Sequence, residues 1–298
     1  RAVLGGQTEP VDQAISQHLR NQKDDGIPML FAYSQLLLGV APAANQAKYA
    51  TTGTAAKFWA AWKEEQGKDQ DDETIAEHIN TPLSEQQKDK VFESRAPYVR
   101  EEYERYGTAE RQVTDQDRLL YALCRPERLL DITRRYVVFD AGEKKVPRWQ
   151  QFFTVQHLLT RVHEKDTTGR RHGGVVWHTQ GSGKSLTMVM LAKALALEPG
   201  LHDQRILLVT DRTDLDDQIH NTFMHCGLAP VQAQSSAHLA RLLKEGKARV
   251  ITTVINKFDS LGSVKSTLRQ DDPNIFVLVD ESHRTQYGTF HARMKKVL

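Results

Sequence analysis

From residue 174 onwards, short apolar runs alternate with longer stretches of helical spacing, and this alternation restricts what the second half of the chain can become. The runs cover residues 174–177, 206–209, 250–254 and 275–279, and the helical stretches include 185–197 and 215–223. Apolar runs without polar alternation suit strands buried on both faces, and the helices between them supply the crossovers of a parallel sheet. The spacing therefore predicts an α/β fold with a parallel sheet covered by helices.

Between the first run and the first helix stands His178-Thr179-Gln180-Gly181-Ser182-Gly183-Lys184-Ser185. Glycines between a strand and a helix let backbone amides turn towards an anion, and the helix adds its positive end. Gly181 and Gly183 take that part, Lys184 reaches the β and γ phosphates of a nucleotide, and Ser185 is placed to ligate magnesium. The general phosphate-loop pattern has glycine where this chain has His178. A glycine-rich turn with an incidental Gly-Lys-Ser is the competing reading, and the flanking strand and helix weigh against it.

The last apolar run, 275–279, ends in Asp280-Glu281. Carboxylates after a buried parallel strand lie at the carboxyl edge of the sheet, where open α/β sheets bind ligands. Asp280 would hold magnesium through water and Glu281 would orient and deprotonate an attacking water. A helix-capping carboxylate pair gives the same local pattern, so the catalytic reading depends on the upstream loop.

The first half reads differently. Residues 10–19 have helical spacing, with Thr8 as a possible cap and Pro10 in the first turn. Residues 29–33 and 36–40 read as two short strands, making this part α+β. Residues 63–77 are acidic and polar and read as a solvated insertion or linker. Residues 86–138 are mostly helical in character, with apolar stripes at Leu119, Leu120, Leu123 and at Leu129, Leu130, Ile132, broken at Arg125-Pro126. The charged, Gly- and Pro-containing segment 141–147 is the expected domain boundary.

Composition narrows the partners. Forty basic and 38 acidic residues leave a net charge of +2, so any nucleic-acid contact must be local rather than the work of a global field. No apolar run approaches the roughly 20 residues that cross a bilayer. Cys124 and Cys226 have neither metal-ligand spacing nor a disulfide framework, which suits a reducing, cytoplasmic compartment. The chain opens on Arg1 without an initiator Met or signal pattern, and reads as an internal piece of a larger protein.

The succession of Gln151, the 181–185 loop, Val209-Thr210-Asp211-Arg212, Thr252-Thr253 and Asp280-Glu281-Ser282-His283 resembles the first RecA-like domain of superfamily 2 helicases. Helicase-type loops commonly depart from glycine at the position of His178. Three longer strings, 174–185, 211–218 and 280–288, resemble more narrowly the R subunit of type I restriction-modification enzymes. Ser282 stands where many relatives have Ala.

That resemblance implies a RecA-like ATPase domain over 146–298. Before it would come the C-terminal part of an α+β PD-(D/E)xK-type nuclease domain over 1–62, then an acidic insertion and helical connecting region over 63–145. It implies ATP-dependent translocation of double-stranded DNA coupled to endonucleolytic cleavage, with ATP and Mg2+ as cofactors and methyltransferase and specificity subunits as partners. The catalytic set would be Lys184, Asp280, Glu281 and His283, with Ser185 and Asp280 on the metal. Thr179, Gln180, Gly181, Ser182, Gly183, Lys184 and Ser185 would cradle the nucleotide, Arg148 and Gln151 would read adenine, and Trp149 or Phe152 could stack on the base. Asp211, Arg212, Thr252 and Thr253 would follow a DNA strand, and His283 with Arg284 would couple nucleotide state to DNA.

Two expectations limit that picture. The nuclease carboxylates and Glu-x-Lys pair have no convincing copy here and are expected upstream; Gln17 fits a supporting Gln-x-x-x-Tyr element, but Asn21 occupies the Tyr position. The second RecA-like lobe, with its arginine fingers, is expected downstream, so residues 1–298 alone should bind ATP weakly and neither hydrolyse it efficiently nor cut DNA. Another superfamily 2 motor without a nuclease, or an ATP-binding module without transport, remains open at this point.

Overall fold

The computed structural model describes residues 9–64, 68–107, 109–179, 181–258 and 272–280. The chain divides into two compact units, Arg1–Asp131 and Ile132–Leu298.

In the first unit, α1 (Pro10–Asn21) begins with Pro10 in its first turn and buries Val11 and Ile15, one helical turn apart. Thr8, the expected cap, lies outside the described residues. Gln17 is on the exposed face, as an ordinary polar face requires. Residues 29–33 differ from the expected strand, since α2 (Pro28–Ala32) forms there and only Phe31 is buried. A five-residue apolar run does not separate strand from helix by periodicity, and Pro28 pre-sets the first helical turn.

The second expected strand is present as β1 (Leu37–Ala41), antiparallel to β2 (Gln46–Ala50). A Cβ on Gly39 would lie 3.2 Å from both Ile15 and Trp59, so the absence of a side chain lets α1 and Trp59 close on the hairpin. Of the adjacent aromatics that follow β2, Trp59 is buried and Phe58 is exposed.

The acidic segment is more ordered than its composition suggests. Helix α3 (Lys68–Asn80) buries Ile75, and Arg118 grips Asp72 with two bonds of 2.7 Å. A buried isoleucine, a bidentate guanidinium, the His78–Tyr121 ring contact at 5.8 Å and the bonds of Asn80 to the Arg111 backbone together position this polar helix. Next come α4 (Glu85–Phe92), α5 (Pro97–Tyr106), α6 (Asp115–Cys124) and α7 (Pro126–Asp131). Leu119 and Leu123 point inward, while Leu120 and Leu130 are exposed.

The second unit opens with a π-helical turn, Ile132–Tyr136, whose two named ends are fully buried. It continues into the hairpin of β3 (Val138–Asp140) and β4 (Glu143–Lys145), so segment 141–147 begins as the turn and second strand of that hairpin. Helix α8 (Trp149–His163) and helix α9 (Lys184–Ala196) precede β5 (Arg205–Thr210), α10 (Thr213–His225), β6 (Val231–Gln232), α11 (Ser236–Glu245), β7 (Val250–Val254) and β8 (Ile275–Val279).

The strands β6-β7-β5-β8 form one sheet in that order, and every pairing is parallel. All residues of β5 and β7 are buried, as a sheet covered on both faces demands. Leu207, Val209 and Ile251 pack on one face with Leu239 and Leu243 of α11. This is a RecA-like parallel-sheet fold. No helix among the described residues is long and apolar enough to cross a membrane.

One expected strand is missing. Residues 174–177 carry no strand, and Val175, Val176 and Trp177 are exposed. A strand exists through its ladder, and this run has no ladder partner among the described residues. Just before it, the Arg171 guanidinium donates to the Pro273 carbonyl at 3.3 Å and lies 5.8 Å from the Phe276 ring centroid, so the arm starts beside β8.

Candidate nucleotide site

Helix α9 returns through residues 197–204 to the start of β5. Its first turn therefore faces the edge where the parallel strands end, the ligand-binding edge of such sheets. Asp280 leaves the same edge, its backbone N–H donating to the Val209 carbonyl at 2.9 Å.

The turn into α9 is made by glycines. Gly181 has φ +75° and Gly183, the residue that caps the helix, has φ +83°. Both lie in the left-handed region that side chains disfavour. Among the described residues, a Cβ at Gly181 would meet nothing within 4 Å, whereas one at Gly183 would lie 2.7 Å from the Gln151 amide nitrogen. Gly181 is thus uncrowded by the described residues, whereas Gln151 presses against Gly183.

Gln151 is 4% exposed in the first turn of α8. Its Oε1 accepts from the Arg148 backbone N–H at 2.9 Å, and its Nε2 donates to the carbonyl of Gly183 at 3.2 Å and that of Ser182 at 3.5 Å. The Gly183 carbonyl also accepts from the Thr187 N–H at 3.0 Å and its hydroxyl at 3.1 Å. Phe152, a possible base-stacking ring by sequence, is instead inside the core, 4.7 Å from the ring of Tyr136. Trp149 is half-buried and Arg148 exposed.

His178 takes a position not assigned from sequence. Its Nε2 lies 3.0 Å from the Thr154 hydroxyl of α8 and its Nδ1 3.3 Å from the Ser182 hydroxyl. Burial, and then the charge of Lys184, hold its pKa below the ordinary histidine value. Thr154 escaped the sequence reading, although its place three residues after Gln151 puts both on one face of α8. Thr179 is exposed and Lys184 and Ser185 are half-buried; Gln180, Glu281 and His283 lie outside the described residues.

The residues expected on DNA separate into two kinds. Arg212 is mostly exposed, with its Nε 3.8 Å from the Asp211 carboxylate. Thr252 and Thr253 are fully buried within β7. Nearby, Gln232 donates to Asp216 at 2.9 Å and to Asp217 at 2.8 Å, tying β6 to α10.

Residues 150–298 match the SWI2/SNF2 ATPase family. The chain belongs to that family. Membership makes the second unit a nucleotide-binding, superfamily 2 motor-type domain. Among individual proteins, the chain is similar to a putative type I restriction enzyme MjaIXP endonuclease subunit of Methanocaldococcus jannaschii, 28% identical over 96% of this chain and 25% of that protein. It is 36% identical to the type I restriction enzyme HindI endonuclease subunit of Haemophilus influenzae over 57% of this chain and 17% of that protein. It is also 31% identical to the C-terminal part of a putative type I restriction enzyme MpnIIP endonuclease subunit of Mycoplasma pneumoniae, over 54% of this chain and 82% of that sequence. The chain thus spans a quarter or less of the first two relatives.

Proposed function

We propose that the chain is the ATP-binding part of a type I restriction endonuclease subunit, and that it powers translocation of double-stranded DNA. The observation that carries the reading is the left-handed pair Gly181 and Gly183 at the start of α9, one uncrowded among the described residues and the other clamped by Gln151. That cradle suits phosphate oxygens, which need close backbone approach and the positive end of a helix.

Lys184 supplies the charge that meets the β and γ phosphates. Ser185 and Asp280 would hold magnesium, which supplies charge neutralisation on the phosphate oxygens. Glu281 orients and deprotonates the attacking water, and His283 reports nucleotide state to the DNA-bound edge. With both polar ends of Gln151 engaged by protein, Arg148 is the exposed group left to meet the base, and Gln151 serves by shaping the loop. Arg212 follows a DNA phosphate without reading sequence.

Similarity to the M. jannaschii endonuclease subunit runs over nearly the whole chain, including the first unit that the ATPase family does not cover. This favours a restriction subunit over a general motor, and with it a nuclease-derived first unit, methyltransferase and specificity subunits as partners, and work in the cytoplasm. The test is magnesium-dependent ATP turnover by the intact protein, with and without linear double-stranded DNA, beside Glu281→Gln. The expected result is DNA-stimulated turnover that collapses in Glu281→Gln while ATP still binds. Turnover indifferent to DNA, or untouched by Glu281→Gln, would overturn the reading.

A further inference from the structure

We infer that His178 is a positioning residue that fixes the aperture of the phosphate loop by bridging Thr154 of α8 to Ser182 across the loop. The inference rests on the reading of residues 178–185 as the nucleotide site.

Among the described residues, the arm that leads into the loop is tied at its start, where the His172 N–H donates to the Glu164 carbonyl at 3.3 Å and the Arg161 guanidinium to the Gly173 carbonyl at 3.3 Å. Residues 172–179 carry no secondary structure, and Val175 and Trp177 are strongly exposed. The far end of the loop is anchored well, by three donors on the Gly183 carbonyl. At the near end, His178 is bonded to the hydroxyl of Thr154 at 3.0 Å. Gln151 and Thr154 are three residues apart and so share one helix face, which lets α8 grip both ends of the loop at a fixed separation.

The second imidazole nitrogen then closes the loop on itself. It lies 3.3 Å from the hydroxyl of Ser182, and the Ser182 N–H donates to the Thr179 carbonyl at 3.2 Å. A neutral imidazole offers one N–H and one lone pair, and each hydroxyl can donate or accept, so the bridge is satisfied in either tautomer. Glycine, which the general loop pattern has at this position, would supply neither bond. The histidine therefore does here what strand pairing does not do for 174–177.

Binding of a fluorescent ATP analogue by the 298-residue chain, with thermal unfolding followed in parallel, tests this in a double-mutant cycle. His178→Ala and Thr154→Val should each lower affinity by about fivefold, the double variant should lose no more than either alone, and Thr154→Ser should restore binding. Multiplying losses, or a Thr154→Ser no better than Thr154→Val, would show that the two residues do not act through one bridge. If His178→Ala fails to fold, the Thr154→Val and Thr154→Ser pair decides the question alone. Lys184→Ala separates the two levels: if it binds as wild type, the nucleotide site itself is misassigned, and if only the bridge variants bind as wild type, His178 has no positioning part.

Discussion

The side-chain amide of Gln151 sits where a β-carbon on Gly183 would have to go, 2.7 Å from that position, and donates to the Gly183 carbonyl at 3.2 Å. One residue of α8 thus explains why the last loop glycine has no tolerance for a side chain. Gly181 has the same left-handed backbone but no described residue crowding it.

The two glycines should therefore respond differently. Gly181→Ala carries only the backbone cost, about 1–2 kcal/mol. Gly183→Ala adds the displacement of Gln151 and should lower the melting temperature further. In a Gln151→Ala background the excess cost at Gly183 should shrink, because the colliding group is gone. Equal effects of the two glycine variants would contradict the clamp.

Gln151→Ala should weaken binding of a fluorescent ATP analogue by about fivefold, close to 1 kcal/mol, the ordinary worth of a hydrogen bond that orders a loop. The Gly183 carbonyl keeps two donors from Thr187, which limits the loss. Unchanged affinity would mean the loop holds its shape without α8.

Much of this was legible in the sequence. The runs at 206–209, 250–254 and 275–279 became β5, β7 and β8, because fully buried strands need continuous apolar residues. The glycines could be assigned because few residues take left-handed φ. The run at 174–177 is equally apolar yet forms no strand, since composition cannot say whether a ladder partner is at hand. Residues 29–33 were ambiguous for the reason that five apolar residues fit either a strand or one turn and a half of helix, and Pro28 decided for the helix. Thr154 and the bridging role of His178 depend on a contact between residues 24 apart, which no local pattern contains. Phe152 shows the converse, an aromatic beside a binding motif that serves the core.

In the first unit, Asp117 is nearly buried and its carboxylate takes two bonds from Arg111 at 2.7 and 2.8 Å, with the Thr114 hydroxyl and N–H adding to them. The Arg111 guanidinium, and then Thr114, against the opposing effect of burial, hold its pKa down to about 2. A depressed carboxylate stabilises the fold above its unfolded pKa, near 4, and that stabilisation is lost as pH falls towards 2. Asp117→Asn should cost about 2 kcal/mol at neutral pH by urea unfolding, with the gap to wild type narrowing as the buffer is taken from about pH 5 to about pH 3. A gap independent of pH would show that the charge of Asp117 is not what matters.

On the proposed DNA edge, Arg212 is exposed and Thr253 is fully buried. Arg212→Ala should lower the slope of log affinity against log salt by about 1 for double-stranded DNA, because one phosphate contact is lost. Thr253→Val should leave that slope unaltered. A slope that changes with Thr253 and not with Arg212 would reverse the assignment of the edge.

The central claim is that the loop entering α9 holds the phosphates of ATP, and Lys184 is the residue whose charge that claim requires. Its most direct measurement is equilibrium binding of a fluorescent ATP analogue with magnesium to the 298-residue chain, wild type against Lys184→Ala, with melting curves confirming that both are folded. The expected result is a loss of at least about tenfold in affinity, which corresponds to roughly 1.4 kcal/mol. Equal affinities in two equally folded proteins would contradict it.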